Sequence, residues 1–360
     1  MSEQLHWDPE LIQRYNRSGP RYTSYPTAVE FKVVENDQVE RDLLSQRDQD
    51  VPLSLYLHIP FCAHVCYYCG CNKVITRHRD KADTYLEYLA QEIALQAPLF
   101  TEYKVKQLHW GGGTPSFLTH KQITTLVALL KEKFDFCDDL EMSIEIDPRE
   151  IEMDLAEHLF SLGFNRLSLG VQDLDLKVQE AINRVQSTQF IGDFIAHAKD
   201  VGFQSINIDL IYGLPHQNLE SFKETLNKVQ SLDPDRIAIF NYAHVPWMKK
   251  HQNLIKQDQL PTADEKLFMF KYATDFLEDK NYIHIGMDHF SKEKDELAVE
   301  KLDDPLWSGD TSKPSSSDSS ISLKRPSYSS SSLAPGLPTK ARIIMPSSPF
   351  DSIHFFLSNS

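Results

Sequence analysis

Four of the five cysteines, Cys62, Cys66, Cys69 and Cys71, fall within ten residues. A disulfide framework would be spread along the chain, so this crowding points to a metal or cluster site. Cys62-Ala-His-Val-Cys66-Tyr-Tyr-Cys69 is a CxxxCxxC motif, and a loop this short can wrap three thiolates around one small cluster. Three protein ligands on a four-iron cluster leave one iron open to another molecule. The alternative is zinc, which takes a tetrahedron of ligands, usually two separated Cys pairs or Cys/His sets. Cys71 would supply a fourth thiolate, so ligand count leaves zinc open. No second CxxC follows downstream, which favours the cluster. Tyr67 and Tyr68 are placed to shield a cluster or stack on a ligand ring. Cys137, in FDFCDD, stands apart and reads as a small half-buried residue in a helix-to-strand connection.

A second motif, Trp110-Gly-Gly-Gly-Thr-Pro115, follows a predicted strand. Its glycines allow a ligand to approach the backbone closely and expose N–H and C=O groups to it. An open iron to chelate an amine and a carboxylate, with a backbone edge to fix the rest, suits an amino-acid-like ligand. Polar residues recur at matching positions: Glu145 in SIEIDP, Gln172 in LGVQD, Arg184 in INR and Asp209 in NIDLIYGLP. A carboxylate inside an apolar strand is costly unless paired or functional. Each residue alone is equally well a satisfied barrel polar group; four at strand ends on one face fit a ligand pocket better. Arg184 is the natural bidentate clamp for a carboxylate. FNYAHVP (240–246) would wall a pocket for a flat ring or pack a barrel mouth. His58, His109 and His289 have no partner spacing and read as ordinary core or turn residues.

The elements that position these motifs follow from hydrophobic periodicity. Strands are predicted over 53–59, 106–110, 141–146, 166–171, 205–211, 236–241 and 282–286. Helical spacing runs over 81–96, 120–134, 151–162, 190–201, 219–231 and 263–278. Such alternation implies parallel strands joined by crossover helices, an α/β fold, with six or seven units suggesting a full or partial (β/α) barrel. An open doubly wound sheet also fits the pattern. In a barrel, the cysteine loop falls at the C-terminal end of the first strand, where such folds place their chemistry. Four segments are expected: an N-terminal segment (1–50), the barrel (51–290), a short continuation (291–301), and a Ser/Pro-rich tail (302–360). Residues 1–50 carry GPRYTSYPTA, an ordered extended stretch. Residues 311–360 are about one-third serine and read as disordered.

Composition bounds the function. A chain of 360 residues, 41% hydrophobic, can bury one large core or two modest ones. A net charge of -15 argues against a general nucleic-acid binder, which needs a basic footprint. No apolar run approaches the roughly 18 residues of a membrane span, and the N-terminus is polar without a signal-peptide core. A cytoplasmic protein with reduced thiols is expected.

GPRYTSYPTA, LHIPFCxxxCYYCGCNK, LHWGGGTP, SIEIDPRE, FNRLSLGVQD, NIDLIYGLP, FNYAH and GMDHF occur in the order and spacing of one family. From about residue 5 to residue 301 the chain resembles the oxygen-independent coproporphyrinogen III oxidases, radical S-adenosylmethionine enzymes of haem synthesis. The resemblance implies a partial (β/α)6-type radical barrel with an N-terminal extension. It implies one [4Fe-4S] cluster on Cys62, Cys66 and Cys69, with Cys71 outside the ligand set, and two S-adenosylmethionine molecules. Tyr56, Gly112 and Glu145 match residues around the cluster-bound molecule. Tyr68, Gly113, Thr114, Gln172, Arg184, Asp209 and Ala243 match those around the second. Tyr22, in YTSYPTA, looks like the part that reaches the substrate cavity.

The chemistry implied is conversion of two propionates of coproporphyrinogen III to vinyls by a 5′-deoxyadenosyl radical, giving protoporphyrinogen IX. The implied partners are that substrate and a one-electron reductant such as flavodoxin or ferredoxin, with the chain a monomer that binds neither nucleic acid nor membrane. The family continues with an HRNFQGYTT-like stretch and a helical domain over the substrate cavity, neither recognisable after Lys301. The expectation is therefore a cluster-binding barrel with impaired or absent porphyrinogen turnover, its altered end possible as a frameshift product. A non-catalytic haem carrier on the same barrel and a zinc-stabilised interaction module are the competing readings.

Overall fold

A computed structural model describes residues 52–303, together with Glu10 and Arg14. The segment around Tyr22, and the tail from 304 onward, lie outside the described residues.

Six parallel strands form the body of one sheet: β1 (Leu53–Ile59), β4 (Lys104–Gly112), β5 (Asp135–Ile146), β6 (Arg166–Gln172), β7 (Ser205–Tyr212) and β8 (Arg236–Asn241). They lie side by side in chain order. The crossovers carry α1 (Lys81–Gln96), α2 (His120–Lys133), α3 (Leu155–Leu162), α4 (Leu176–Ala181), α5 (Thr188–Val201) and α6 (Leu219–Ser231). After α7 (Ala263–Asp279) the chain ends in a hairpin, β9 (Tyr282–Gly286) and β10 (His289–Lys292), and α8 (Glu296–Asp303). Strand order is β1-β4-β5-β6-β7-β8-β10-β9, an open arc and hence a partial barrel. Between β1 and β4 lie two short strands, β2 (Phe61–Cys62) and β3 (Val74–Ile75), paired with each other.

Burial alternates along the strands. Leu55, Leu57, Leu108, Ile144, Leu169 and Ile208 are buried beneath the helices, whereas the residues between them are half-buried and mostly polar. Register stacks those polar residues into layers. One layer runs Tyr56, His109, Ser143 through paired strands, and the next towards the C-terminal ends brings Glu145 beside Ser168 and Gly170 beside Asp209. The concave face of this arc is thus a polar hollow, unlike a barrel packed with branched apolar side chains. Helix starts are fixed locally: Thr119 and Gln122 form a reciprocal capping box on α2, as Thr262 and Glu265 do on α7.

Some expectations are corrected. Strand 282–286 does not continue the parallel order; β9 pairs antiparallel with β10, which pairs antiparallel with β8. Two residues, Met287 and Asp288, separate β9 from β10, and so short a link permits only a reversal. β5 begins at Asp135, so Cys137 lies within a strand and not in a connection. The first half of β5 has no buried residue and lacks the alternation that marks a strand. Helix α3 starts at Leu155, not at 151. The short α4, the terminal α8 and strand β10 had no counterpart in the periodicity. Among the described residues no helix is long and apolar enough to cross a membrane.

Candidate active site

The cysteine loop leaves the end of β1 and is closed at its base by the β2–β3 pair. Val74 N–H donates to Pro60 O (2.7 Å) and Thr76 N–H to Cys62 O (2.9 Å). The glycine loop after β4 is zipped to the same chain end: Gly113 N–H donates to Ile59 O (2.9 Å) and Thr114 N–H to Phe61 O (2.8 Å). That closeness requires glycine. A Cβ on Gly113 would lie 2.7 Å from the carbonyl carbon and oxygen of Pro60, and Gly112 adopts φ 123° against the His58 ring.

Two further regions pin the loop. Tyr67 N–H donates to Ile182 O (2.9 Å) and Asn183 Nδ2 donates to Val65 O (2.8 Å), tying it to the turn after α4. His251 Nε2 lies 2.6 Å from Cys69 O, and Gln252 Nε2 donates to Tyr68 O (2.8 Å) and to Ala243 O (3.2 Å). Tyr67 and Tyr68 pack on a small apolar cluster that includes Ile182, Ile211 and Tyr242.

All five cysteines are free thiols. Burial pushes the Cys62 thiol up to about 12, and neighbouring Cys69 and Cys66 add to the rise, so the three sulfurs feel one another. Cys71 differs from them. Its side chain hydrogen bonds to Cys69, holding the Cys69 thiol well below its ordinary value and its own well above. Cys71 is thereby a donor to the Cys69 sulfur and not its equal. Three neighbouring sulfurs on one pinned loop fit a cationic iron–sulfur core, which would relieve the repulsion among their thiolates.

Cys66 is the buried member, 7% exposed, and two guanidiniums reach its sulfur. Arg149 Nη2 donates to Cys66 Sγ at 3.3 Å and Arg184 Nη1 at 3.4 Å. Both also donate to Asp147 Oδ2, at 2.5 and 3.1 Å. Burial opposes ionisation of Asp147, but Arg184 and Arg149 outweigh it and hold the carboxyl far below the usual range. Arg184 further donates through Nε to Gly170 O (3.1 Å), so its fork is already engaged.

Within the hollow, Glu145 accepts from Gly112 N–H (3.1 Å) and lies 3.3 Å from His109 Nε2, whose ring stacks on Tyr56. His58 Nδ1 meets the Tyr56 hydroxyl at 3.2 Å, and its Nε2 lies 3.0 Å from Asn72 O, linking the hollow to the cysteine loop. Asp209 accepts from Asn207 Nδ2 (2.7 Å) and Ser168 Oγ (3.2 Å); burial and the nearby Glu145 raise its carboxyl to about 6. Gln172 ends β6 with φ 68°, beside Gly170 and Arg184.

The predicted residues therefore gather at one end of the sheet: the three cysteines with Tyr68 in one loop, Gly112, Gly113 and Thr114 in the next, and Glu145, Gln172, Arg184 and Asp209 beside them. Ala243 joins through Gln252. Periodicity had given no role to Asp147, Arg149, His109, His251 or Gln252. A signal was available for Asp147 and Arg149, since Asp-Pro-Arg directly follows a strand end in the quoted SIEIDPRE.

Comparison with known proteins agrees with this arrangement. The Radical SAM superfamily model matches residues 56–229. An oxygen-independent coproporphyrinogen III oxidase from Pseudomonas aeruginosa is 46% identical over 311 residues, covering 85% of this chain and 67% of that protein. The solved structure of coproporphyrinogen III oxidase from Escherichia coli, described as a radical SAM enzyme, superposes with a TM-score of 0.78 at 50% identity, covering 83% of this chain and 67% of that one. The chain belongs to the oxygen-independent coproporphyrinogen III oxidase family. Among its other relatives in that family, the Salmonella typhimurium protein is 50% identical over 300 residues, and this chain spans 65% of its length. The family match covers the partial barrel and the cysteine loop together, the two features that the geometry joins.

Proposed function

We propose that this chain performs the oxygen-independent oxidative decarboxylation of two propionates of coproporphyrinogen III to vinyls. Cys62, Cys66 and Cys69, on the loop at the end of β1, would hold a [4Fe-4S] cluster. When bound, the reduced cluster and S-adenosylmethionine supply a carbon-centred radical able to take hydrogen from an unactivated position. Tyr56, Gly112 and Glu145 would hold the cluster-bound S-adenosylmethionine. Tyr68, Gly113, Thr114, Gln172, Arg184, Asp209 and Ala243 hold a second molecule, and Tyr22 contacts the substrate. The polar rows of the hollow orient these groups, and the helices behind the sheet keep water from its outer side. An external one-electron reductant would feed the cluster, a separate one-electron acceptor would take the electron that each substrate radical releases with carbon dioxide, and the chain acts as a monomer in the cytoplasm.

The observation that carries this reading is the cysteine loop pinned over a polar barrel mouth in a chain about half identical to enzymes named for the reaction. It favours an enzyme over a haem carrier, because every relative named above is an oxidase. Anaerobic incubation of the reconstituted full chain with S-adenosylmethionine, reductant and coproporphyrinogen III tests it. Deoxyadenosine and decarboxylated product rising together are expected. Deoxyadenosine without product would limit the chain to radical generation, and haem binding with neither would select the carrier.

A further inference from the structure

The three cysteines of the loop, Cys62, Cys66 and Cys69, are not equivalently supported. Cys69 receives the backbone N–H of Cys71 at 3.4 Å, the Cys71 thiol and, from its own loop, the half-buried Lys73 ammonium. Cys66 receives two guanidinium N–H groups, from residues 83 and 118 positions away. Both guanidiniums are fixed by a single carboxylate. Asp147 Oδ1 accepts from Arg149 Nε (2.9 Å) and from the Arg149 backbone N–H (3.1 Å), and Oδ2 accepts from both arginines. Asp147 is itself held, its N–H donating to Thr114 Oγ1 and Ser116 Oγ, both at 3.2 Å. Arg149 Nη1 donates to Asn183 O (3.1 Å), on the turn that pins the cysteine loop.

We propose that Arg149, oriented by Asp147, sets the reduction potential of the cluster by donating to Cys66. This deepens the proposed function and rests on it, since it presupposes a cluster on the three cysteines. Two guanidiniums and one carboxylate leave one net positive charge, and the three side chains are at most 10% exposed, so water screens it little. Reduction adds one electron, supplied by the external one-electron donor, and no bond is made or broken. Negative charge accumulates on the iron and its sulfur ligands, and a charge-assisted N–H donor to a ligand sulfur stabilises the reduced state and raises the potential. Arg149 is thus a positioning and tuning residue acting through Cys66. It eases electron uptake at the expense of the driving force for the later transfer. Arg184 makes the parallel contact but is also assigned to S-adenosylmethionine, so Arg149 isolates the effect.

The test is a mediated redox titration of the full-length, reconstituted chain without S-adenosylmethionine, followed by electron paramagnetic resonance, with iron and sulfide measured in each sample. Arg149→Gln is expected to retain iron and sulfide and to lower the equilibrium constant for reduction roughly tenfold, which for one electron is about 59 mV. Asp147→Asn, which leaves both guanidiniums and removes the opposing charge, is expected to move the potential upward. Opposite signs from adjacent substitutions are not what mere loosening of the loop would produce. A wild-type chain that takes up no iron and sulfide overturns the cluster reading and this inference with it. A normal wild-type cluster with an unshifted or raised potential in Arg149→Gln overturns the inference alone. Should Arg149→Gln lose its iron, the sign in Asp147→Asn decides, and an unchanged or lowered value overturns it.

Discussion

At the N-terminal ends of the strands Arg166 and Arg236 meet Glu141, Asp295 and Glu296, and at the C-terminal ends Arg149 and Arg184 meet Asp147. Arg236 Nε lies 2.8 Å from Asp295 Oδ2 and its Nη2 2.8 Å from Glu296 Oε1, while Arg166 contacts Glu296 and lies 3.6 Å from Glu141. Ser205 Oγ donates to the same Asp295 carboxylate (2.8 Å). This lower group has three carboxylates for two guanidiniums, and its surplus charge is shared with Glu296, whose side chain is 37% exposed. The upper group has two guanidiniums for one carboxylate, and its surplus is buried and directed at a cysteine sulfur. Both groups lock distant strands together. Only the upper one buries its surplus charge, and that difference separates a charge aimed at a cysteine sulfur from a group that ties the strand starts to α8. The lower group also shows that α8 is built into the barrel floor, so residues 291–303 belong with the sheet as far as their contacts go.

The largest effect should come from breaking the lower group. Asp295→Ala leaves Arg236 without its most buried partner and is expected to lower unfolding free energy by about 3–5 kcal/mol, read in urea melts. Iron bound per folded molecule should not change, and its selective loss would erase the distinction between the two ends. Gly113→Ala strikes the upper end by crowding, its Cβ meeting the Pro60 carbonyl. It should lower stability by about 1–3 kcal/mol and, unlike the lower-end change, reduce iron and sulfide retained after reconstitution.

Titration of Asp209 gives a pH-dependent comparison. Its carboxyl is raised to about 6 from an ordinary 3.8, so the folded state binds the proton more tightly than the unfolded state. Its contribution to stability is therefore fully present below about pH 4 and is lost as pH rises through 6. Stability of Asp209→Asn relative to wild type should climb across that window, by an amount on the order of 2 kcal/mol, in melts at matched ionic strength. A flat difference would show that Asn207 and Ser168 offset the burial. The smallest effect belongs to Thr119→Ala, which removes the cap of α2 near the upper end without touching charge. A loss of about 1 kcal/mol with unaltered cluster content is expected from melts and iron analysis.

Local pattern was sufficient for much of this. Cysteine spacing, the glycine run after a strand, alternation in the 53–59 and 236–241 segments, and caps such as Thr262 all express constraints that act within a few residues. The limits of 53–59, 81–96 and 219–231 agree with the structure for that reason. Where alternation is absent, as in the first half of β5, or where a two-residue turn reverses the chain, as at Met287–Asp288, periodicity had no purchase.

The sequence by itself determined that three thiolates share one loop, that a glycine loop follows on the next strand, and that polar groups sit at strand ends. Only the tertiary structure decided which charges meet. Arg149 reaches Cys66 across 83 positions and Arg166 reaches Glu296 across 130, contacts created by strand register and the closing arc. The same fold separates Cys71, a donor to Cys69, from the thiols it adjoins in sequence. Burial then converts such meetings into function, because a charge removed from water acts strongly on the few groups it faces, and no stretch of sequence specifies which groups those are.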